Sequence, residues 1–545
     1  LTKGLQFRVS ANKHMAIYLI ITLGVLLLGA AMAAILAWRQ PRYAPQATAL
    51  SLAIALLIWL VAGRSLPLGT DVTAGQESGE LLFFGWHVDA IGWQLSFVLL
   101  LMMEAVVVVA LAHTDRQLWP DDRPAREKAL FPAIVLMSVA ALLAVWAGSI
   151  ASLLLTWVVL SLTWVLLLWA MTQERVGAGR LLPRAGALLL GVLFLWLAMA
   201  ISEPRSNVIV LEDLWSGRAA YLMLLAAIAP LGALPLQWWR PLAWSLPAET
   251  AAIVHLAPVA AGGALLAHSS GQAGEQQTGL LLIGTLLGLI SLLVGISIAW
   301  MYIASPIRSL SGLALAQAGV VVLAALWVGA AAASAATMVL LLAISGLFLA
   351  ARWSSRKLPW PAILPLLALA GFPFTAGAPG LASVYHAWLD GGNVVLLLIG
   401  ALLSIFLLAA GILAVRSEMP ADELVGREPE VKLGHYLALA LPSLGLISFS
   451  SQLVSGITIV AWVTVVVTFG GSLLLSRFET QVQDAQLSLR RALHLGFVGR
   501  RIMQLLAQIG SGLDSFIRET AAILEGEGGM LWLLVFLVVI WLARR

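Results

Sequence analysis

The sequence predicts an all-α polytopic membrane protein of about sixteen transmembrane helices, and three observations predict it. Of 545 residues, 61% are hydrophobic and 11% are charged, with a mean hydropathy of +0.97. Apolar runs long enough to cross a ~30 Å hydrocarbon core recur between short connectors that carry Arg, Pro or Gly. Cysteine is absent, which excludes disulfides, thiolate metal sites, iron–sulfur clusters and a thiol nucleophile. The net charge of +4 is small and spread over the connectors, so nothing favours a nucleic-acid partner.

Spans one and two run about Met15 to Trp38 and Gln46 to Arg64. The first is a full span long and lacks a small-residue cleavage site, so it is expected to remain as a span and not to be removed as a signal peptide. Ser65 to Asp89 reads as a short hairpin on the outer face, and span three follows from Ile91 to His113 with Glu104 inside it. After the connector TDRQLWPDDRPAREK come spans four to six, about Ala129 to Ala147, Ser152 to Met171 and Leu181 to Ile201. Ala229 to His268 holds spans seven and eight. Spans nine to eleven are Thr278 to Tyr302, Pro306 to Val328 and the Ala-rich Ala332 to Ala351. Span twelve starts near Pro361, breaks at GFPFTAGAPG and resumes toward Trp388. Val394 to Val415, Tyr436 to Ser451 and Gly456 to Leu475 follow. Arg477 to Glu525 interleaves apolar residues with Arg490, Arg491, Arg500 and Arg501, the pattern of an amphipathic helix lying along the membrane surface, and Met530 to Leu542 is a short final anchor span.

Basic residues remain preferentially on the cytoplasmic side. Connectors after odd-numbered spans carry most of them, Arg39, Arg42, Arg116, Arg308 and Arg416 among others, whereas those after even-numbered spans carry Arg64, Arg205 and Arg218. This places the N-terminus outside, in a bacterial cytoplasmic membrane.

The stretch from Ala229 to His268 is the least regular of the apolar part. Pro230, Pro235, Pro241, Pro247 and Pro258 each remove a backbone donor, so this segment is expected to contain broken or kinked helices. Two ordinary spans joined by a proline-rich loop, or a discontinuous pair around an ion path, both fit. The runs LPLQWWRP and LPAETAAIVH, then SPIRSLSGLALAQAGV at Ser305 to Val320 and LALAGFPFTAG at Leu367 to Gly377, occur in one order along the chain. Together they resemble the antiporter-like membrane subunits of respiratory complex I, Mrp-type cation/proton antiporters and membrane-bound hydrogenases. The resemblance implies two inverted five-helix repeats, 129–268 and 278–415, with broken helices at spans seven (Pro230, Pro235) and twelve (Gly371, Pro373). Around them lie spans one to three (1–128), accessory spans (416–476), the lateral helix (477–527) and the anchor (528–545).

The resemblance also implies a mid-membrane row of proton carriers. Aligned without gaps, the glutamate of the fifth span falls on Trp157 or Val158, and the lysines fall on Pro230, Ala261, Ile307 and Leu381. Every carrier position has lost its charge. The polar groups that remain are His255, Glu249 and Glu104, with Arg308, Gln317 and His386. His255 is either a relay or a histidine satisfied by carbonyls freed at Pro247 and Pro258. Glu104 faces a partner helix or a wet cavity, because lipid exposure would cost several kcal/mol. Tyr385, His386 and Asp390 read as interfacial anchors or an outer exit. Trp38 and Trp215 read as aromatic anchors at the headgroup level.

No haem-binding histidine pair, phosphate loop or nucleotide fingerprint is present, so no cofactor and no catalytic site is expected in this chain. The expected partners are lipid and other integral membrane subunits, with any soluble or redox module, such as that of an NADH:quinone oxidoreductase, reached through them. The expected function is proton or cation translocation within a multisubunit complex, or a scaffold derived from it. An independent small-solute or ion transporter using the broken helices is the alternative.

Overall fold

In hydrocarbon, a helix satisfies every backbone N–H and C=O within one segment, and the Leu-, Ala- and Val-rich runs form helices accordingly. The computed structural model describes residues 2–64, 86, 88–113, 128–171, 178–202, 213–237, 248–269, 278–351, 360–416, 429–448 and 457–478. In chain order the helices are α1 (Thr2–Arg39), α2 (Ala44–Gly63), α3 (Ala90–His113), α4 (Leu130–Val145), α5 (Ile150–Met171) and α6 (Ala178–Ile201). There follow α7 (Ala219–Leu231), α8 (Ala248–Leu256), α9 (Val259–Ser269), α10 (Thr278–Met301), α11 (Pro306–Trp327) and α12 (Ala330–Ala350). The last are α13 (Ile363–Leu369), α14 (Ser383–Asp390), α15 (Val394–Arg416), α16 (Pro429–Ser448) and α17 (Ile459–Arg477). Among the described residues, ten spans are long and apolar enough to cross a membrane, and four shorter apolar helices accompany them. The hairpin of 65–89, apart from its last residues, and the lateral helix and anchor after Phe478 lie outside the described residues.

The centre of the bundle is α12. Its membrane window is entirely buried, and α3, α8, α9, α11, α13 and α16 all pack against it. Lipid tails are as apolar as leucine, so helices associate by close packing, which small residues allow. The Ala332, Ala333, Ala335, Ala336, Ala343 and Gly346 positions supply that closeness, and Gly263 of α9 seats against Thr337.

The tightest pair is α10 against α11. A Cβ at Gly295 would lie 2.4 Å from the Ala316 backbone nitrogen, and one at Gly312 would lie 2.6 Å from the Ala299 nitrogen. Ser309 Oγ donates to the Ala299 carbonyl (3.0 Å) and ties the start of α11 to the end of α10.

Two helices stop inside the bundle by the same local device. At the end of α7, Gly232 is left-handed (φ +64°), its N–H bonds to Ala229 O, and Ala233 N–H bonds to Ile228 O. At the end of α13, Gly371 (φ +76°) bonds to Ala368 O, and Phe372 N–H bonds to Leu367 O. This is the Schellman cap, which needs a residue free to adopt positive φ. Pro235 and Pro373 follow and cannot continue the helix. Beyond each stop a freed donor finds a neighbour: Leu234 N–H reaches Ser291 Oγ at 3.0 Å, and Ala376 N–H reaches the Leu446 carbonyl at 2.8 Å. A π-turn at Ala378–Ala382 then leads into α14.

The seventh helix begins at Ala219, ahead of the Ala229 expected from the proline-rich run. Its first turns are apolar but too few to read as a span. Pro258 kinks α8 into α9 without ending the span, since Ala257 N–H still bonds to Ile253 O at 2.9 Å. Trp38 is 64% exposed, as a membrane-edge anchor requires, but Trp215 is 4% exposed and is a core residue.

Replacing Gly295 by Leu should push α10 away from the α11 backbone and cost about 1–3 kcal/mol or more, because no flexible side chain can yield there. Gly24, with nothing within 4 Å of its Cβ direction, is the control site for the same substitution. Thermal unfolding of the purified protein in detergent checks it: G295L should melt markedly lower and G24L should not.

Candidate functional site

The ends of two helices set a common depth scale. Asp89 Oδ1 accepts from Gly92 N–H at the start of α3, and its Oδ2 lies 3.0 Å from His268 Nε2 at the end of α9. These two termini therefore share one face of the bundle. His255 stacks on Phe348 with ring centroids 5.8 Å apart, while Gly263 meets Thr337, so α8–α9 and α12 are antiparallel. Leu342 meets Gly445 and Pro442 meets Gly346, so α12 and α16 are antiparallel too. At about 1.5 Å per helical residue, Glu104 lies about 22 Å and His255 about 20 Å from the Asp89–His268 level. The two residues occupy one layer in the middle of the bundle.

His255 is fully buried, with Nε2 2.8 Å from Ser311 Oγ. The Ser311 hydroxyl donates to the Ile307 carbonyl of its own helix, also at 2.8 Å, so Nε2–H is the donor of the pair. This links α8 to α11 at the turn just before the Pro258 kink. Glu249, in the first turn of α8, is buried and lies about 9 Å further along the axis than His255.

The remaining residues singled out in the sequence are dispersed. Arg308 is exposed at the start of α11, its guanidinium 5.4 Å from the Tyr302 ring centroid. Gln317 is buried on α11, and its Oε1 has no hydrogen-bond partner among the described residues. His386 pairs with the exposed Asp390 at 3.3 Å. Tyr385 is no interfacial anchor: it is fully buried and donates to Ser404 Oγ at 2.7 Å.

Tryptophan fills the buried face of α5. Trp157 is 2% exposed on α5, with its ring against Gly191 of α6, where a Cβ would lie 3.2 Å from Cζ3 and 3.0 Å from Ala229 of α7. Two turns along the same face, Trp164 Nε1 donates to the Val254 carbonyl (3.2 Å), the residue before His255. Ala261 and Leu381 are buried, and Pro230 lies buried one residue before the end of α7. Sequence reasoning noted Trp157 only as a missing glutamate. The helical spacing of Trp157 and Trp164 is the signal that could have shown a filled face.

The architecture defines a multi-pass helical membrane protein whose interior spans stop at Gly232 and Gly371. Among solved structures it is similar to a chain of the Mrp complex from Dietzia sp. DQ12-45-1b, with a TM-score of 0.63 and 19% sequence identity. The match covers 97% of this chain, which spans 63% of the length of that one. The similarity is one of fold. No protein-family description and no curated protein matches the sequence.

Trp157→Ala should open a cavity beside Gly191 and Ala229 and destabilise the protein by about 3–5 kcal/mol, the range for removing a buried tryptophan. Trp157→Phe should recover much of that loss. Detergent melting curves of the two variants against the parent check both the size and the order.

Proposed function

We propose that the chain is an antiporter-like subunit of a multisubunit complex in a bacterial cytoplasmic membrane, N-terminus outside, and that alone it acts as a scaffold and conducts no ions. The fold similarity to a chain of the Mrp complex is the observation that carries the first part. Residues 129–268 and 278–415 are read as the two inverted repeats, and the like caps at Gly232 and Gly371 support that reading. Partner subunits would supply any ion path, and any redox or soluble module would be reached through them.

The second part rests on the filled interior. Moving a proton through the midplane needs ionisable groups or ordered water within hydrogen-bond reach, because an isolated charge there costs at least about 2.5 kcal/mol. Trp157, Pro230, Ala261, Ile307 and Leu381 stand at the positions where the resemblance puts carriers, and none of them can bear a charge. His255, held to Ser311, braces α8 against α11.

Reconstituted alone in liposomes under an imposed gradient, the chain should show no proton or sodium flux above empty vesicles. His255→Ala should lower the melting temperature, as loss of a buried hydrogen bond worth about 1–3 kcal/mol requires, and leave flux at baseline. Gradient-driven flux in the parent protein that H255A abolishes would sink the scaffold reading.

Residues after Ser476 are proposed to pack against the bundle or an adjacent subunit. A chain truncated there should still insert but should co-purify fewer neighbouring subunits. An intact complex at normal yield would refute this.

A further inference from the structure

Glu104 is 8% exposed, and its Oε2 has no hydrogen-bond partner among the described residues. It lies three residues beyond Leu101, on the same side of α3, and Leu101 Cδ2 reaches within 2.7 Å of the Cβ position of Gly445 on α16. Because α3 and α16 run in opposite directions, one turn onward along α3 meets one turn back along α16. That turn holds Pro442, inside the helix. Proline has no N–H, so the carbonyl four residues earlier, of the fully buried Ala438, loses its helical donor. Gly346 of α12 meets Pro442 at the same level.

The seam therefore brings together an acid whose Oε2 has no partner among the described residues and a carbonyl that lacks its usual helical donor. A carboxylate there would need several donors, but the N–H groups of helix interiors are already used by their own carbonyls. A neutral acid needs an acceptor for one proton, and the proline turn supplies one. The helices packed against α3 offer little to neutralise a charge: α2, α4 and α12 have no titratable residue. On α8 and α9, His255 is engaged by Ser311 and His268 by Asp89, and Glu249 is itself an acid. On α16, Glu430, Lys432, His435 and Tyr436 lie in the first two turns, at least about 9 Å along the axis from Pro442.

We propose that Glu104 is a proton-binding site of this chain: it holds a proton as a neutral carboxylic acid in the α3–α12–α16 seam, with the Ala438 carbonyl as acceptor. The site lies on the third span, outside both repeats, in the layer of His255. It stands whether or not the chain conducts ions.

The test uses the full chain in lipid. N,N′-dicyclohexylcarbodiimide, which partitions into the membrane, reacts with a protonated carboxyl: the acid proton passes to one carbodiimide nitrogen, the carboxyl oxygen adds to the central carbon, and the acyl group then migrates to nitrogen. Nothing leaves. Peptide mapping should find the adduct on Glu104, and E104Q should lose it. Adducts on other carboxyls with none on Glu104 would overturn the proposal. The infrared difference between parent and E104Q gives a second reading. Loss of a protonated-carboxyl C=O stretch is expected, and loss of carboxylate bands would overturn the assignment. Pro442→Ala restores a donor to Ala438, so the carboxyl stretch should move to higher wavenumber. An unmoved band would overturn the role of the Ala438 carbonyl.

Discussion

Close approach of backbones around α12 is the constraint on which the rest of the bundle depends. Between helices in lipid there is no water to expel, so cohesion comes from packing and from the few hydrogen bonds that cross between helices. An Ala-rich helix that is buried on all sides lets α3, α8, α9, α11, α13 and α16 share one neighbour. The glycines of α10 and α11 extend the same principle outward. Hydroxyl groups in this interior mostly turn back on their own helices: Thr337 to Ala333 O, Ser138 to Ile134 O, Thr156 to Ser152 O and Ser161 to Trp157 O. A hydroxyl spent in this way has no second proton to donate, although its oxygen can still accept from a neighbour, as those of Ser96, Ser291 and Ser311 do.

That economy makes the cross-helix polar contacts informative. Trp146 to Ser96, Tyr385 to Ser404 and Trp327 to Thr285 are each an aromatic donor meeting a small hydroxyl, and each fixes a register. The His255–Ser311 pair is of the same kind, a ring nitrogen held by a hydroxyl. The Ser311 hydroxyl in turn donates to the Ile307 carbonyl of its own helix.

How much of this was legible in the sequence follows from how local each feature is. The breaks expected at Pro230 and Pro235 and at Gly371 and Pro373 rest on Gly and Pro, whose effect on the backbone acts within a few residues, but the cap at Gly232 is not among them. The Ala-rich eleventh span was visible as a run, but its place at the centre was not, since that depends on which neighbours choose it. The seventh helix begins earlier than the proline-rich run suggests, because Ala219–Leu231 is shorter than a span and does not stand out as one. Trp215 and Tyr385 were misplaced at the membrane edge for a shared reason: aromatic residues near connectors are usually anchors, and only tertiary contacts reveal the exceptions. The common depth of Glu104 and His255 needs the offset between α3 and the α8–α9 span, set by the Asp89–His268 contact, which no local sequence pattern encodes.

The two interrupted helices show how a break inside the bundle satisfies its freed backbone donors. In a transporter, unwound backbone is tolerated where it lines a path, and bound ions or charged side chains help to satisfy it. Here the donor freed after Gly232 is taken by Ser291 Oγ, and the one after Gly371 by the Leu446 carbonyl, both from neighbouring helices of the same chain. The breaks are therefore stable on local and packing terms alone. Trp157 of α5 packs its ring against Gly191 of α6 beside the first of these breaks, and Gly191 in turn lies against Ala229 of α7.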